Sequence, residues 1–174
     1  EAEKFSLLQK QIQEKQDILN RKNFNGHITA SGLVISPDNR VLVIFHNKLQ
    51  KFLQPGGHIE DIDNHLIESA MREVREETGL NKINIHPWCK ENNSPIIIDT
   101  HYIPANERKN EDNHFHHDFM FVFTTTEKEI ILDKKEVSDF SWVEVSRLVN
   151  NDSLIAKALQ KLNKINYQSY NHLQ

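Results

Sequence analysis

Three glutamates, Glu73, Glu76 and Glu77, stand three and four residues apart in the segment Arg72-Glu73-Val74-Arg75-Glu76-Glu77-Thr78-Gly79. On a helix that spacing gathers the carboxylates within one turn, where each like-charged pair costs about 0.2–0.5 kcal/mol. A helix from about Asn64 to Thr78 is predicted by its apolar residues Leu66, Ile67, Ala70, Met71 and Val74, which recur every three or four positions and leave the glutamates on another face. The carboxylates also sit toward the C-terminal end, where the backbone carbonyls disfavour anions. Two local rules broken together mark a place where function overrides stability. A hard divalent cation such as Mg²⁺ or Mn²⁺ relieves both penalties, because it takes oxygen ligands, keeps several waters and binds substrate phosphates beside a few carboxylates. Arg72 can pair with Glu76 four residues on, and Arg75 and the backbone at Gly57 are expected nearby.

Taken alone, the three glutamates fit a solvated charged face better than they fit a site. The segment Gln54-Pro55-Gly56-Gly57-His58-Ile59-Glu60 tips the balance, since its glycines let backbone carbonyls and amides approach a metal or a phosphate closely. Asp61, Asp63 and Asn64 offer N-caps for the helix, and Gly79 offers its end.

Gly57, Asp63, Arg72, Glu73, Val74, Glu76, Glu77, Gly79 and Leu80 together resemble the Nudix box: a Gly, a carboxylate, then Arg-Glu-apolar-any-Glu-Glu-any-Gly-apolar. The segments Gly26-His27-Ile28-Thr29-Ala30-Ser31, Leu53 to His58, Ile103-Pro104-Ala105-Asn106 and His114 to Phe119 are similar to one bacterial subgroup of that family, and the likeness covers roughly Gly26 to Val149. The resemblance implies an α+β fold, an α/β/α sandwich with a mixed central sheet. It also implies a hydrolase that cuts a diphosphate bond in a nucleoside diphosphate-linked or related small molecule by water attack on phosphorus. Glu73, Glu76 and Glu77 would hold Mg²⁺ or Mn²⁺, the Gly57 carbonyl would add a ligand, and Arg72 would orient the carboxylates. One departure concerns Asp63: eight residues rather than seven separate it from Arg72, and the usual Glu there is Asp, so Asp63 is expected as a cap or a supporting group. Glu136, just before Phe140-Ser141-Trp142, matches a loop that supplies a further acid in such enzymes; a solvated surface glutamate is the alternative. A Nudix-fold binding or regulatory module is the rival to the enzyme, and it would lose carboxylates that are present here. The isomerase branch of the fold needs a catalytic cysteine, for which Cys89 has no supporting context.

Histidine is clustered. His114, His116 and Asp118 alternate with Phe115, His117, Phe119, Phe121 and Phe123 along one predicted strand, which assigns the aromatic set to the core and the first set to a site, beside Asp99 and His101. A second metal site there and hydrogen-bonded sheet histidines both fit. His58, Lys48 and Lys51 are donors suited to phosphate oxygens. Trp88, Phe52 and Trp142 fit core packing as well as stacking on a base.

The elements that must position these groups read as follows. Ala2 to Leu19, with Phe5, Leu8, Ile12 and Ile18, predicts an amphipathic helix lying on its own domain, with a homodimer contact as the alternative. His27–Ile35 and Arg40–His46, joined by Ser36-Pro37-Asp38-Asn39, predict a β-hairpin. Pro95–Ile103, His114–Thr126 and Phe140–Val145 predict strands, and a C-terminal helix is interrupted near Asn150-Asn151. The organisation expected is an accessory helix in residues 1–24, the Nudix domain in 25–165 and a fraying tail in 166–174.

The 174 residues suit one domain, and 37% hydrophobic with 26% charged residues excludes a disordered or fibrous chain. A net charge of −4 without a long Lys/Arg block argues against duplex nucleic acid as a partner. Apolar runs are too short to span a bilayer, residues Glu1 to Lys15 lack a signal-peptide stretch, and the lone cysteine suits a reducing compartment, so the cytoplasm is expected. The start at Glu1 suggests an expressed or trimmed fragment.

Overall fold

The computed structural model describes residues 2–107 and 110–171, and only the backbone of 2–4 and 166–171. In chain order it comprises α1 (Ala2–Gln13), β1 (His27–Ile35), β2 (Arg40–His46), β3 (Lys51–Leu53), β4 (Gly56–His58), α2 (Leu66–Thr78), β5 (Ile83–Ile85), α3 (Pro87–Asn92), β6 (Ile97–Ile103), β7 (His114–Thr125), β8 (Val137–Glu144), α4 (Val145–Leu148) and α5 (Leu154–Asn171).

One mixed sheet holds all the strands. Its spine runs β3-β2-β1-β7-β5, with β4 beside β1, β6 beside β7 and β8 beside β2. The centre is a parallel pair: β1 and β7 match residue for residue from His27↔His116 to Ile35↔Thr124. Both strands are rich in β-branched and apolar residues and are covered on both faces, as a central strand must be. Period-two alternation sends Leu33, Val41, Val43, Met120 and Val122 to one core, which α5 covers with Ile155, Ala158, Leu159 and Leu162. Their neighbours Val34, Leu42, Phe121 and Phe123 point the other way, into a second core closed by Ala70 and Val74 of α2. The result is the expected α/β/α layering on an α+β sheet. Gly32 lets α2 come close, since a Cβ there would lie 2.4 Å from Val74 Cγ2.

Several expectations are corrected. The β1/β2 hairpin exists at its turn, where Asn39 takes φ 59° and Ser36 and Arg40 exchange hydrogen bonds, but the strands pair only at Ile35↔Val41. They then splay, because β4 pairs with β1 at Thr29–Ser31 while β3 and β8 flank β2. α1 stops at Gln13 instead of near Leu19, with Lys15 at φ 55° just beyond it. Its inward face carries Leu8 and Gln11, whereas Ile12 is exposed, because Gln11 bonds buried groups that an isoleucine could not satisfy. The N-cap of α2 is His65, not Asp61, Asp63 or Asn64, and no side chain caps it: the Asp63 carboxylate is taken by Arg72 and by the Glu60 N–H. Gly79 does end that helix at φ 70° and donates its N–H to the Arg75 carbonyl. On β7 the aromatic face is not the sole core face, since Met120 and Val122 are fully buried on the other side and Phe115 is exposed at the strand's start. Residues 166–171, expected as part of a tail, continue α5, and 172–174 lie outside the described residues. No helix among the described residues is long and apolar enough to cross a membrane.

Candidate active site

Arg72 organises the acidic end of α2. Its guanidinium donates to Asp63 Oδ2 at 2.9 Å, to the His58 carbonyl at 2.8 Å, to Glu73 Oε1 at 2.8 Å and to Glu76 Oε2 at 3.0 Å. The planar fork of five donors suits such a junction of loop and helix. Asp63 is therefore a partner of Arg72, joining the Glu60–Asp63 turn to the helix.

Glu73 and Glu77 face the Gly56-Gly57 strand. Gly57 has no room for a side chain: a Cβ would lie 2.5 Å from Glu73 Cδ. The Gly56 N–H donates to Glu77 Oε2 at 2.9 Å, and Glu77 is only 5% exposed. Burial pushes Glu73 up to about 7, against the pull of Arg72 and with Glu76 and Glu136 adding repulsion. Burial likewise pushes Glu77 up to about 8, countered by the Gly56 N–H and reinforced by Glu73, Glu136 and Glu76. The donor set is hard oxygen throughout and carries more negative charge than its single arginine balances, which suits a divalent cation.

Beside this cluster lies a cleft of about 420 Å³, walled by Gly56, Gly57, His58, Lys48, His116 and Glu136 among others. The carboxylates stand behind the Gly56–His58 strand and are not part of the cleft lining. Of the groups expected from sequence, Lys48, His58, His114, His116 and Glu136 line the cleft. Lys51 does not, because β3 pairs it with His46 and leaves it exposed at the sheet edge. Arg75 is exposed and also lies outside the cleft. Asp99 and His101 face Asp118 and His116 across β6/β7, as expected. Asp118 is not posed as a metal ligand: it accepts from Ser31 Oγ at 2.6 Å and Thr29 Oγ1 at 3.3 Å, and burial raises it to about 6. His117 belongs to the fold. Its Nε2–H donates to Gln11 Oε1 at 2.8 Å and its Nδ1 accepts from the Thr100 hydroxyl at 2.9 Å. Trp88 and Trp142 pack against the two cores, and Phe52 lies edge-on to Phe45.

Sequence reasoning missed Arg21, which reaches the cleft and pairs with Glu111 at 3.2 Å. It also missed His27, which the parallel pairing of β1 with β7 sets beside His116. Neither has a local signal, since both depend on which strands become neighbours.

Residues 26–165 match the family description NUDIX domain. The chain belongs to the Nudix family. A probable DHNTP pyrophosphohydrolase of Lactococcus lactis subsp. cremoris is 32% identical over 102 residues, 59% of this chain and 56% of that protein. Phosphatase NudJ of Escherichia coli strain K12 is 33% identical over 81 residues, 42% of this chain and 52% of that protein. The chain thus spans about half the length of the curated relatives it matches. Among solved structures, a NUDIX-family hydrolase from Clostridium perfringens superposes with a TM-score of 0.56 at 25% identity, covering 78% of this chain and 97% of that one. The dihydroneopterin triphosphate pyrophosphohydrolase of E. coli does so with a TM-score of 0.55 at 15% identity, over 77% and 92% of the two chains, a likeness of fold alone. In this Nudix chain the box spans the Gly56-Gly57 strand and α2, the two elements that Arg72 ties together.

Proposed function

We propose that this chain is a metal-dependent Nudix hydrolase that cleaves the diphosphate linkage of a nucleoside diphosphate-linked or related small molecule. The observation that carries the reading is the gathering of Glu73, Glu76 and Glu77 by Arg72 and by the Gly56-Gly57 backbone, directly behind the strand that walls a ligand-sized cleft. Mg²⁺ or Mn²⁺ bound by the three glutamates, with the Gly57 carbonyl as a further ligand, would neutralise phosphate oxygens and lower the pKa of a bound water. The chain's own residues do the rest. Arg72 holds Glu73 and Glu76 in place, Lys48 and His58 offer donors to phosphate oxygens, and Glu136 faces Glu73 and Glu77 closely enough to repel them. A carboxylate of this set takes the proton from water as its oxygen bonds to phosphorus and the bridging P–O bond breaks.

The test is a panel of diphosphate compounds assayed with Mg²⁺ and Mn²⁺, with products identified. Turnover of at least one compound is expected. Supporting groups around a metal are worth roughly 10–100-fold, so Glu76→Gln and Glu77→Gln should each lose metal-dependent turnover on the order of 100-fold or more with the fold intact. Unchanged turnover in both variants would sink the assignment; binding without cleavage of any compound would point to a non-catalytic module instead.

A further inference from the structure

The imidazoles of His58, His101, His114 and His116 in the cleft lining and of His27 buried beside them lie close together, and three of the five form a tight group. The ligand-capable nitrogens of His27, His114 and His116 lie within 4.8 Å of one another. His27 and His114 stack with centroids 4.9 Å apart, while His116 sits 4.7 Å and 5.0 Å from them. The rings of His58 and His101 come within 5.3 Å and 5.7 Å of His116.

The hydrogen bonds of the trio decide which nitrogens remain available. A carbonyl oxygen can only accept, so the 2.7 Å contact of His114 Nδ1 with the Asp112 carbonyl fixes the proton on Nδ1 and leaves a lone pair on Nε2. The 3.2 Å contact of His27 Nδ1 with the Asn23 carbonyl does the same for His27. His27 is 1% exposed and its Nε2 has no hydrogen-bond partner, a buried acceptor with nothing to accept. Anchoring one ring nitrogen on a backbone carbonyl while the other points inward is how proteins orient histidine ligands for a metal. His116 Nε2–H donates to His114 Nε2 at 3.2 Å, and that separation is close to the roughly 3.3 Å that two nitrogens span when each is about 2.0–2.1 Å from one tetrahedral ion. Burial, reinforced by repulsion from the surrounding imidazoles, pushes His116 down to about 2 and so favours its uncharged ring.

We infer that His27, His114 and His116 form a binding site for a first-row transition-metal ion of the Zn²⁺ type, separate from the glutamate cluster, with its fourth position open to the cleft. Nitrogen donors select such ions over Mg²⁺, whereas the glutamates select the reverse. The two sites lie on opposite faces of the sheet: His114 and His116 share the face of Met120 and Val122, and Glu73 and Glu77 belong to the helix on the face of Phe121 and Phe123. His116 would carry its proton on Nδ1 when the ion is bound, which frees Nε2.

Co²⁺ titrated into the full chain with excess Mg²⁺ present reads this site directly. One saturable equivalent with the visible absorption of tetrahedral Co²⁺ is expected. It should persist in Glu76→Gln and Glu77→Gln and vanish in His116→Asn. X-ray absorption of the Zn²⁺-loaded wild-type chain should show a shell of three imidazoles, a readout that does not depend on any variant folding. An oxygen-dominated shell, absence of saturable binding, or bands lost with the glutamates and kept without His116 would overturn the inference.

Discussion

Burial of the Glu77 carboxyl ties its protonation to folding. A carboxyl whose folded-state pKa is raised holds its proton more tightly when folded than when unfolded, so stability falls as pH rises between the two values. For Glu73 that window runs from about 4.5 to about 7, and for Glu77 from about 4.5 to about 8. His116 and His117 act oppositely, since their lowered values remove stability as pH falls below about 6.5, and above that pH they are neutral in both states. Between about pH 6.5 and 8 the glutamates therefore set the slope. In the presence of a chelator the melting temperature should decline across that interval, and Glu77→Gln should remove most of the decline, as differential scanning fluorimetry in matched buffers would reveal. An equal slope in wild type and variant would refute the account.

Between elements, the contact that matters is β4 against the end of α2, and its two glycines play different parts. A Cβ on Gly57 meets the far end of Glu73, a flexible side chain that can swing away. Gly57→Ala should keep the fold yet weaken Mn²⁺ affinity by roughly 10–100-fold, measurable by electron paramagnetic resonance titration. A Cβ on Gly56 meets Ser31 Cα and the Ala30 carbonyl, both at 2.8 Å, so Gly56→Ala should break the β1/β4 pairing and lower the melting temperature instead. What the sequence made legible at this scale was whatever is written locally: the apolar face of α2, the Gly79 stop and the spacing of the glutamates. The three-residue strands β3, β4 and β5 and the short helix α3 have too few residues to show a period, and only tertiary pairing makes them. His27 escaped for a related reason: its neighbour His116 is 89 residues away, and no pattern within either strand announces a parallel pair. The Asp63 cap failed because a local preference lost to a better partner, Arg72.

At the scale of the molecule, α1 is tied to the sheet by polar contacts as much as by Leu8. Gln11 is 1% exposed; its amide donates to the Gly26 carbonyl at 2.8 Å and its oxygen accepts from His117. Gln11→Ala strands both buried partners, a loss of about 1–3 kcal/mol that urea denaturation should register as a lower midpoint with unchanged slope. An unaltered midpoint would mean that α1 does not stabilise the domain. The division of the interior by the sheet has a different kind of consequence. The glutamates ride on a helix set in one core, and the wall of Thr29, Ser31, His116 and Asp118 springs from the strand face that feeds the other. Substitutions that reshape the wall need not disturb the packing that aims the carboxylates. If the proposed hydrolysis holds, such a chain can over evolutionary time exchange one substrate for another while inheriting its carboxylates intact, and in directed evolution the same wall is where new specificities should be sought first.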